Sequence, residues 1–255
     1  MSTPTLDELR LVVQPAEKMQ RRSGEHWAGL LYMRWISLRV TRLLVNSPLT
    51  ANGYTYLMIV SGIGAGAALL VPGVAGAVLG ALLIQIYLLL DCVDGELARW
   101  RRQTSITGVY LDRVGHYICE AAFLVGLGFR AADLHLNGWT VLGFTAALGV
   151  VLVKSETDLV DVARARSGLP AVSDSASVPR SQGAAKARSL ASAVKVHRLI
   201  GGVEASLLVL AAGIADAFTT GRPFTEAAVA VLAAIALAMV ALHFASIIMS
   251  SRLKG

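Results

Sequence analysis

The sequence predicts an all-α integral membrane protein with six transmembrane helices, preceded by an amphipathic helix in the membrane interface. Hydrophobic residues make up 55% of the 255 residues and charged residues only 16%, whereas soluble domains carry about 25% charged residues. The mean hydropathy is +0.61. Apolar stretches recur along the chain and are separated by short polar breaks, which is the pattern of a multi-pass membrane protein.

The first 45 residues are predicted to form a cytoplasmic lead-in and the interfacial helix. Residues 1–26 are polar and mixed in charge, without the apolar core of a signal peptide. From Trp27 to Leu44 the sequence has helical periodicity, with an apolar and a polar face. The apolar face holds Met33, Ile36, Val40, Leu43 and Leu44, and the polar face holds Arg34, Ser37, Thr41 and Arg42. A cytosolic helix packed on protein is the alternative interpretation.

Residues 46–255 are predicted to form one six-helix transmembrane catalytic domain. The six spans lie at about 53–71, 75–93, 109–128, 139–153, 199–215 and 225–249. The second span continues as helix towards Trp100, and the fourth towards Arg166. Glycines spaced four residues apart in the first two spans predict close helix contacts. A polar cytoplasmic loop is expected at about 154–199.

The basic residues predict the orientation of these spans. Lys and Arg number seven in residues 1–45, three between spans 2 and 3, eight between spans 4 and 5, and two at the end of the chain. Because cytoplasmic loops carry the excess of Lys and Arg, both termini and the active site are expected on the cytoplasmic side. The membrane is expected to be the inner (plasma) membrane of the cell. The net charge of +6 is therefore assigned to loops and not to nucleic-acid binding.

An unusual charged stretch, from Asp91 to His116, lies between spans 2 and 3. Asp91 and Asp94 are three residues apart and Asp112 and His116 are four apart, so each pair shares a helical face. Antiparallel neighbours can bring the two faces together at the cytoplasmic mouth of the bundle. Repulsion between the carboxylates is relieved by a divalent cation, and hard oxygen ligands favour one or two Mg²⁺ or Mn²⁺ ions. The alternative is that these residues merely mark helix ends.

Two glycines and an arginine accompany the carboxylates. Gly95 and Gly108 leave room for close approach of backbone or ligand, and Arg99 is placed to meet a phosphate. The two cysteines of the chain, Cys92 and Cys119, offer no disulfide framework and are interpreted as small buried side chains.

The stretch resembles the signature of the CDP-alcohol phosphatidyltransferase family, D-x2-D-G-x2-A-R-x8-G-x3-D-x3-D, at seven of its eight fixed positions. Pro48–Thr55 is similar to the family's entry into span 1. The resemblance implies transfer of a substituted phosphoryl group from a CDP-linked lipid, such as CDP-diacylglycerol, to an acceptor alcohol, with release of CMP, in phospholipid biosynthesis. It implies metal ligands at Asp91, Asp94 and Asp112, and a homodimer among membrane lipids. The nucleotide would be surrounded by Asn52, Asp91, Asp94, Gly95, Ala98, Arg99 and Gly108.

His116 departs from the family pattern, since it stands where the last Asp is normally assigned as the base and lies at the metal site. Histidine can accept a proton near neutral pH and can bind a metal through nitrogen. Three interpretations stay open: a catalytic base, a ligand or orienting group, or a change that impairs catalysis.

The acceptor is less clearly indicated. Arg113 could pair with Asp112 or meet an anionic acceptor. Lys154, Lys195, His197 and Arg198 could form a phosphate site for a polyol phosphate, or could simply be basic loop residues. Other classes remain as well: a transporter or lipid-binding protein, although no internal repeat is visible, and a phosphatase or phosphotransferase acting on a non-cytidine substrate.

Overall fold

A computed structural model describes residues 3–15, 28–170 and 200–253. All regular structure within these residues is helical, which confirms the predicted all-α class. A π-helical segment at Gly29–Met33 directly precedes the second of the eight α-helices found there. These are α1 Leu6–Val13, α2 Arg34–Leu44, α3 Ala51–Ala68, α4 Gly73–Trp100, α5 Ile106–Ala131, α6 Gly138–Arg166, α7 Gly202–Asp216 and α8 Pro223–Met249.

Three helices, α4, α6 and α8, are long and apolar enough to cross a membrane. The other three predicted spans fall short in the described residues for visible reasons. Helix α3 is rich in glycine and polar side chains, α5 carries the charged residues of the central stretch, and α7 has only 15 residues, whereas a span needs about 20. The number six therefore stays a prediction, and so do the orientation of the spans and the interfacial location of α2.

The chain divides into two compact units. The first comprises Met1–Ala65 and Ala81–Cys119, and the second comprises Gly66–Gly80 and Glu120–Gly255. The sequence predicts a domain boundary at residue 46 from the change in composition between a polar lead-in and apolar spans. Composition does not show which helices pack together, so the two units need not follow that boundary.

In the first unit, α1 folds onto the end of α4. Its N-terminus is fixed by a capping box, in which the Thr5 hydroxyl accepts from the Glu8 backbone N–H and the Glu8 carboxylate accepts from that of Thr5. Leu9 and Val13 on its buried face are completely covered. They belong to an apolar cluster completed by Leu38, Val45, Ala51, Tyr54, Val93 and Leu97. Residues 6–13 are therefore part of a core and not only a polar lead-in.

Helix α2 turns polar residues inwards. Ser37 and Thr41, both on the predicted polar face, are completely buried, while Leu43 of the predicted apolar face is 82% exposed. The amphipathic interfacial helix stays a prediction. In the structure, Ser37 and Thr41 pack on protein because they meet a buried carboxylate, described below.

Close helix contacts in the first unit depend on a missing side chain. A Cβ at Gly62 of α3 would lie 2.3 Å from the Cys119 sulfur of α5. Contacts this short leave no room for alanine, so the predicted role of small residues in helix packing applies here.

In the second unit, α8 packs against α6 and α7. Two polar contacts link its long helices. Lys154 Nζ forms an ion pair with Glu120 Oε1 at 3.0 Å, and His243 Nδ1 forms a hydrogen bond with Glu156 Oε2 at 2.8 Å. Helix α6 runs unbroken through the polar residues after 153 to Arg166, as predicted. Residues 154–166 of the predicted loop at 154–199 are therefore helical, and most of that loop lies outside the described residues.

Candidate active site

The charged stretch folds into the first unit, where three helix ends supply its polar groups. The start of α3 contributes Asn52 and Thr55, the last turns of α4 contribute Asp91 to Arg99, and the first turns of α5 contribute Gly108 to His116. A short turn at residues 101–105 joins α4 to α5. The helical spacing that predicted shared faces is thus present on both helices.

Asp91, Asp112 and His116 form a compact group. The Nε2 atom of His116 lies 3.0 Å from Asp91 Oδ1 and 3.5 Å from Asp112 Oδ1. One potential ligand atom from each residue lies within 4.8 Å of the others. Two carboxylate oxygens and one imidazole nitrogen are a donor set that suits Mn²⁺ and tolerates Mg²⁺. The residues present therefore fit the divalent ion that the sequence pattern implies.

A tyrosine holds the far side of the histidine ring. The Tyr87 hydroxyl forms a hydrogen bond with Nδ1 of His116. The two rings meet edge to face, with centroids 5.7 Å apart and an interplanar angle of 88°. Tyr87 itself is 1% exposed. The orientation of the imidazole is consequently fixed from both of its nitrogens.

Asp94, also predicted as a metal ligand, has a different environment. Its Oδ2 accepts a hydrogen bond of 2.6 Å from the Thr55 hydroxyl, and the side chain is buried. Among the described residues, the group whose ligand atoms converge contains Asp91, Asp112 and His116 but not Asp94. A ligand role for Asp94 stays a prediction.

Arg99 is held from behind by the N-terminal helix. Its Nε donates to the backbone oxygen of Val13 at 2.8 Å. Its Nη1 lies over Gly95, so that a Cβ on this glycine would come within 3.1 Å of the guanidinium nitrogen. The glycine thus leaves room for the terminal guanidinium nitrogens beside Asp94.

The remaining predicted nucleotide residues adjoin this group. A Cβ on Gly108 would lie 3.1 Å from Asn52 Oδ1, so these two residues, 56 apart in sequence, are neighbours. The Gly108 backbone N–H donates to Ser105 Oγ at 3.0 Å, which fixes the first turn of α5. Ala98 packs against the apolar cluster of the first unit.

Glu96 is an additional acidic residue that the sequence reasoning did not select. Its side chain is completely buried. The carboxylate accepts from Gln14 Nε2 at 2.8 Å, from Ser37 Oγ at 2.8 Å and from Thr41 Oγ1 at 2.7 Å, and Arg34 Nη1 lies 3.8 Å away. These contacts connect α2, and Gln14 directly after α1, to α4, the helix that carries Asp91 and Arg99.

The predicted acceptor residues are only partly described. Arg113 follows Asp112 in the second turn of α5. Lys154 belongs to the second unit, where it pairs with Glu120. Lys195, His197 and Arg198 lie outside the described residues, and the acceptor role of all five stays a prediction.

Sequence signals for the missed residues exist but are weak. Tyr87 precedes Asp91 by four residues and Thr55 follows Asn52 by three, so each shares a helical face with a selected residue. Within apolar helices, however, a tyrosine or threonine is ordinarily interpreted as a residue of the packed core and not of a functional site. Glu96 sits beside Asp94 and Gly95, but its partners come from more than 50 residues away.

Comparison with known proteins assigns the region that carries this site. Residues 48–172 match the family model described as CDP-alcohol phosphatidyltransferase. A bifunctional IPC transferase and DIPP synthase from Thermococcus kodakarensis is 32% identical over 149 residues, which is 58% of this chain and 32% of the relative. The chain thus matches about a third of that relative's length. Residues 48–172 thus form a CDP-alcohol phosphatidyltransferase domain within the chain.

Proposed function

We propose that this protein transfers a substituted phosphoryl group from a CDP-linked donor to an alcohol and releases CMP. The observation that carries the proposal is the convergence of Asp91, Asp112 and His116, from two helices, within 4.8 Å. The group lies inside the region that matches the family. The transferase and synthase named in the relative support an enzyme in preference to a transporter or lipid-binding protein.

The reaction exchanges one phosphorus–oxygen bond for another. The acceptor oxygen bonds to the phosphorus of the substituted phosphoryl group, the bond from that phosphorus to CMP breaks, and the acceptor proton passes to a carboxylate or imidazole of the site. A bound divalent ion would neutralise the diphosphate and stabilise the charge that develops on CMP. In our proposal Asp91, Asp112 and His116 hold this ion, with Asp94 adjacent.

Other residues bind and orient the donor. The Arg99 guanidinium, already oriented by Val13, presents Nη atoms to a phosphate, which is a charge-assisted contact. Asn52, Gly95, Ala98 and Gly108 surround the nucleotide in this proposal, and the two glycines leave room for the side chains of Arg99 and Asn52 beside them.

The substrate assignment goes one step further. We propose CDP-diacylglycerol as donor and a polyol phosphate as acceptor, bound by Arg113, Lys154, Lys195, His197 and Arg198. The protein acts in this proposal as a homodimer in the inner (plasma) membrane, with six spans and with the termini and site on the cytoplasmic side. A membrane location suits a lipid donor, which cannot leave the bilayer at low cost.

The test is CMP release by the purified protein in detergent. The protein is incubated with Mn²⁺ or Mg²⁺, CDP-diacylglycerol and a panel of free and phosphorylated polyols. CMP should appear with at least one acceptor, should disappear with a chelator, and should return when the ion is restored. Other nucleotide diphosphate donors tested in parallel would reveal a non-cytidine phosphotransferase.

A matched pair of variants gives the test its control. Asp91→Asn removes a proposed ligand and should lower CMP release about 100-fold or more, since even groups behind the ligands contribute 10–100-fold. Asp161→Asn makes the same chemical change at an exposed position of α6 and should leave the rate unchanged. His116→Asp should keep or raise turnover. Absence of CMP with every CDP donor and acceptor, for both the natural protein and His116→Asp, would refute the proposed function.

A further inference from the structure

Both nitrogens of His116 are engaged, and by chemically different partners. Nε2 faces the two carboxylates, at 3.0 Å from Asp91 Oδ1 and 3.5 Å from Asp112 Oδ1. Nδ1 shares a hydrogen bond with the hydroxyl of Tyr87. A general base needs a nitrogen lone pair that faces the acceptor hydroxyl. If Nε2 carries the lone pair of the neutral ring, that lone pair faces the carboxylates of Asp91 and Asp112.

The Tyr87 hydroxyl can form a hydrogen bond with either tautomer of the neutral His116 ring. Its hydroxyl can donate to Nδ1 or accept from it. When Nε2 gives its lone pair to a metal, the proton of the neutral ring must reside on Nδ1, and the Tyr87 oxygen becomes its acceptor. Histidines that bind metals regularly donate their other N–H to such a partner, which fixes the tautomer and the direction of the ring.

The surroundings make this arrangement rigid. Tyr87 is completely buried within the first unit, and its ring packs edge to face on the imidazole. Tyr87 and Asp91 are four residues apart on α4, so one helical face supplies a carboxylate and the group behind the histidine. Rotation of the imidazole away from the carboxylates would break its hydrogen bond with the buried Tyr87, which is costly.

We propose that Tyr87 is a positioning residue that directs Nε2 of His116 to the divalent ion, so that His116 serves as a metal ligand and not as the general base. The inference rests on the proposed function in taking a divalent ion as the resident cofactor. It assigns a role to Tyr87 and chooses among the three interpretations that the sequence leaves open for His116. It also implies an ion that accepts imidazole nitrogen, with Mn²⁺ preferred to Mg²⁺.

The experiment measures the ion and not only turnover. The full-length protein in detergent micelles is loaded with Mn²⁺, and pulsed electron paramagnetic resonance is used to detect coupling of the manganese to a directly bound ¹⁴N nucleus. The natural protein should show this coupling, and His116→Asp should lose it while still binding Mn²⁺. Manganese bound without nitrogen coupling in the natural protein, or failure of Mn²⁺ to bind, would overturn the inference.

A double-mutant cycle tests the part played by Tyr87. Tyr87→Phe keeps the ring and removes the hydroxyl, and it should raise the Kd for Mn²⁺ about tenfold or more. In the His116→Asp background the same change should alter the Kd less than twofold, because the group through which Tyr87 acts is gone. An equal fold-change in both backgrounds would mean that Tyr87 is merely structural and would refute its positioning role.

Tyr54 offers a matched control in the same unit. It is also buried, and its hydroxyl donates to Ser47 Oγ at 2.8 Å. Tyr54→Phe should leave both the nitrogen coupling and the Kd for Mn²⁺ within twofold of the natural protein. If Tyr87→Phe does not fold, as judged by thermal unfolding in detergent, the spectra of the natural protein and of His116→Asp still decide whether His116 is a ligand.

CMP release measured on the same samples separates the two proposals. Nitrogen coupling without CMP release from any CDP-linked donor upholds the ligand assignment and refutes the proposed function. CMP release from a protein whose manganese shows no nitrogen coupling upholds the function and refutes the ligand assignment.

Discussion

Replacement of Glu96 should release the N-terminal helices from the helix that carries the site. The Glu96 carboxylate is completely buried and accepts three hydrogen bonds of 2.7–2.8 Å, from Gln14, Ser37 and Thr41. All three donors lie outside the region that matches the family. Glu96→Ala removes the acceptor and leaves the three donors facing a cavity. Glu96→Gln keeps the shape and one acceptor oxygen but removes the negative charge.

The contacts set the expected magnitudes. Loss of one member of a buried charged group that is fully hydrogen-bonded costs about 3–5 kcal/mol, so Glu96→Ala should cost about 4 kcal/mol. In Glu96→Gln the amide oxygen can still accept from Gln14 and Ser37, and the Thr41 hydroxyl can turn to accept from the amide nitrogen. Only the charge-assisted part is lost, for which we expect about 1–2 kcal/mol.

Hydrogen exchange measures this release locally. Since about 1.4 kcal/mol corresponds to a tenfold change, amides of Leu6–Val13 and Arg34–Leu44 should exchange roughly a thousandfold faster in Glu96→Ala and about tenfold faster in Glu96→Gln. Amides in the second unit should change less, because their opening does not involve this carboxylate.

Asp161→Asn, at an exposed site on α6, controls for the loss of a carboxylate and should leave exchange in α1 and α2 as it is in the natural protein. The reasoning fails if Glu96→Ala leaves exchange in both helices at the natural rate. It also fails if Glu96→Gln is as severe as Glu96→Ala, since the retained hydrogen bonds would then contribute nothing.

Three further predictions concern packing, the phosphate contact and pH. Gly66→Ala should lower stability in detergent by about 1–3 kcal/mol, because its Cβ would lie 2.3 Å from a backbone oxygen of α5. Gly64→Ala is the control and should be neutral or stabilising, because its Cβ would meet only a side-chain carbon at 3.7 Å. Equal thermal unfolding temperatures of the two variants would contradict this prediction. Arg99→Lys should raise the KM for the CDP-linked donor about tenfold or more, because lysine cannot both donate to the Val13 oxygen and bind a phosphate in bidentate fashion; an unchanged KM would exclude a phosphate contact. The capping hydrogen bonds, first from the backbone N–H of Thr5 and then from its side chain, hold the pKa of Glu8 below its ordinary value of 4.5. Their stabilisation of α1 is therefore present above pH 4.5 and lost as the pH falls below it. The protection of α1 amides, measured as exchange relative to the intrinsic rate at each pH, should therefore fall on acidification in the natural protein but not in Glu8→Gln.

Helical periodicity was sufficient to predict much of the fold and the central cluster. The second and fourth spans were expected to continue as helix to Trp100 and Arg166, and both do. The meeting of Asp91 with Asp112 and His116 follows from spacings of three and four residues on consecutive antiparallel helices. Local rules determine features of this kind, and a single sequence contains those rules.

The environment of Glu96 could not be predicted in that way. An amphipathic pattern in α2 identifies a polar face but does not say whether that face meets water or a buried carboxylate. Ser37 and Thr41 find Glu96 59 and 55 residues away, and Gln14 finds it 82 residues away. Pairings at this distance depend on how whole helices pack, and packing leaves little trace in the polarity of individual residues.

The contact between Val13 and Arg99 also has a consequence for synthesis of the chain. The two residues are 86 apart, so at roughly 5–20 residues per second the ribosome needs on the order of 4–17 s to supply the partner of α1. An eight-residue helix is not stable by itself in water. We therefore expect α1 to fold only when the segment that bears Asp91 and Arg99 has emerged. Helix α1 would then pack onto a site that is synthesised much later than the helix itself.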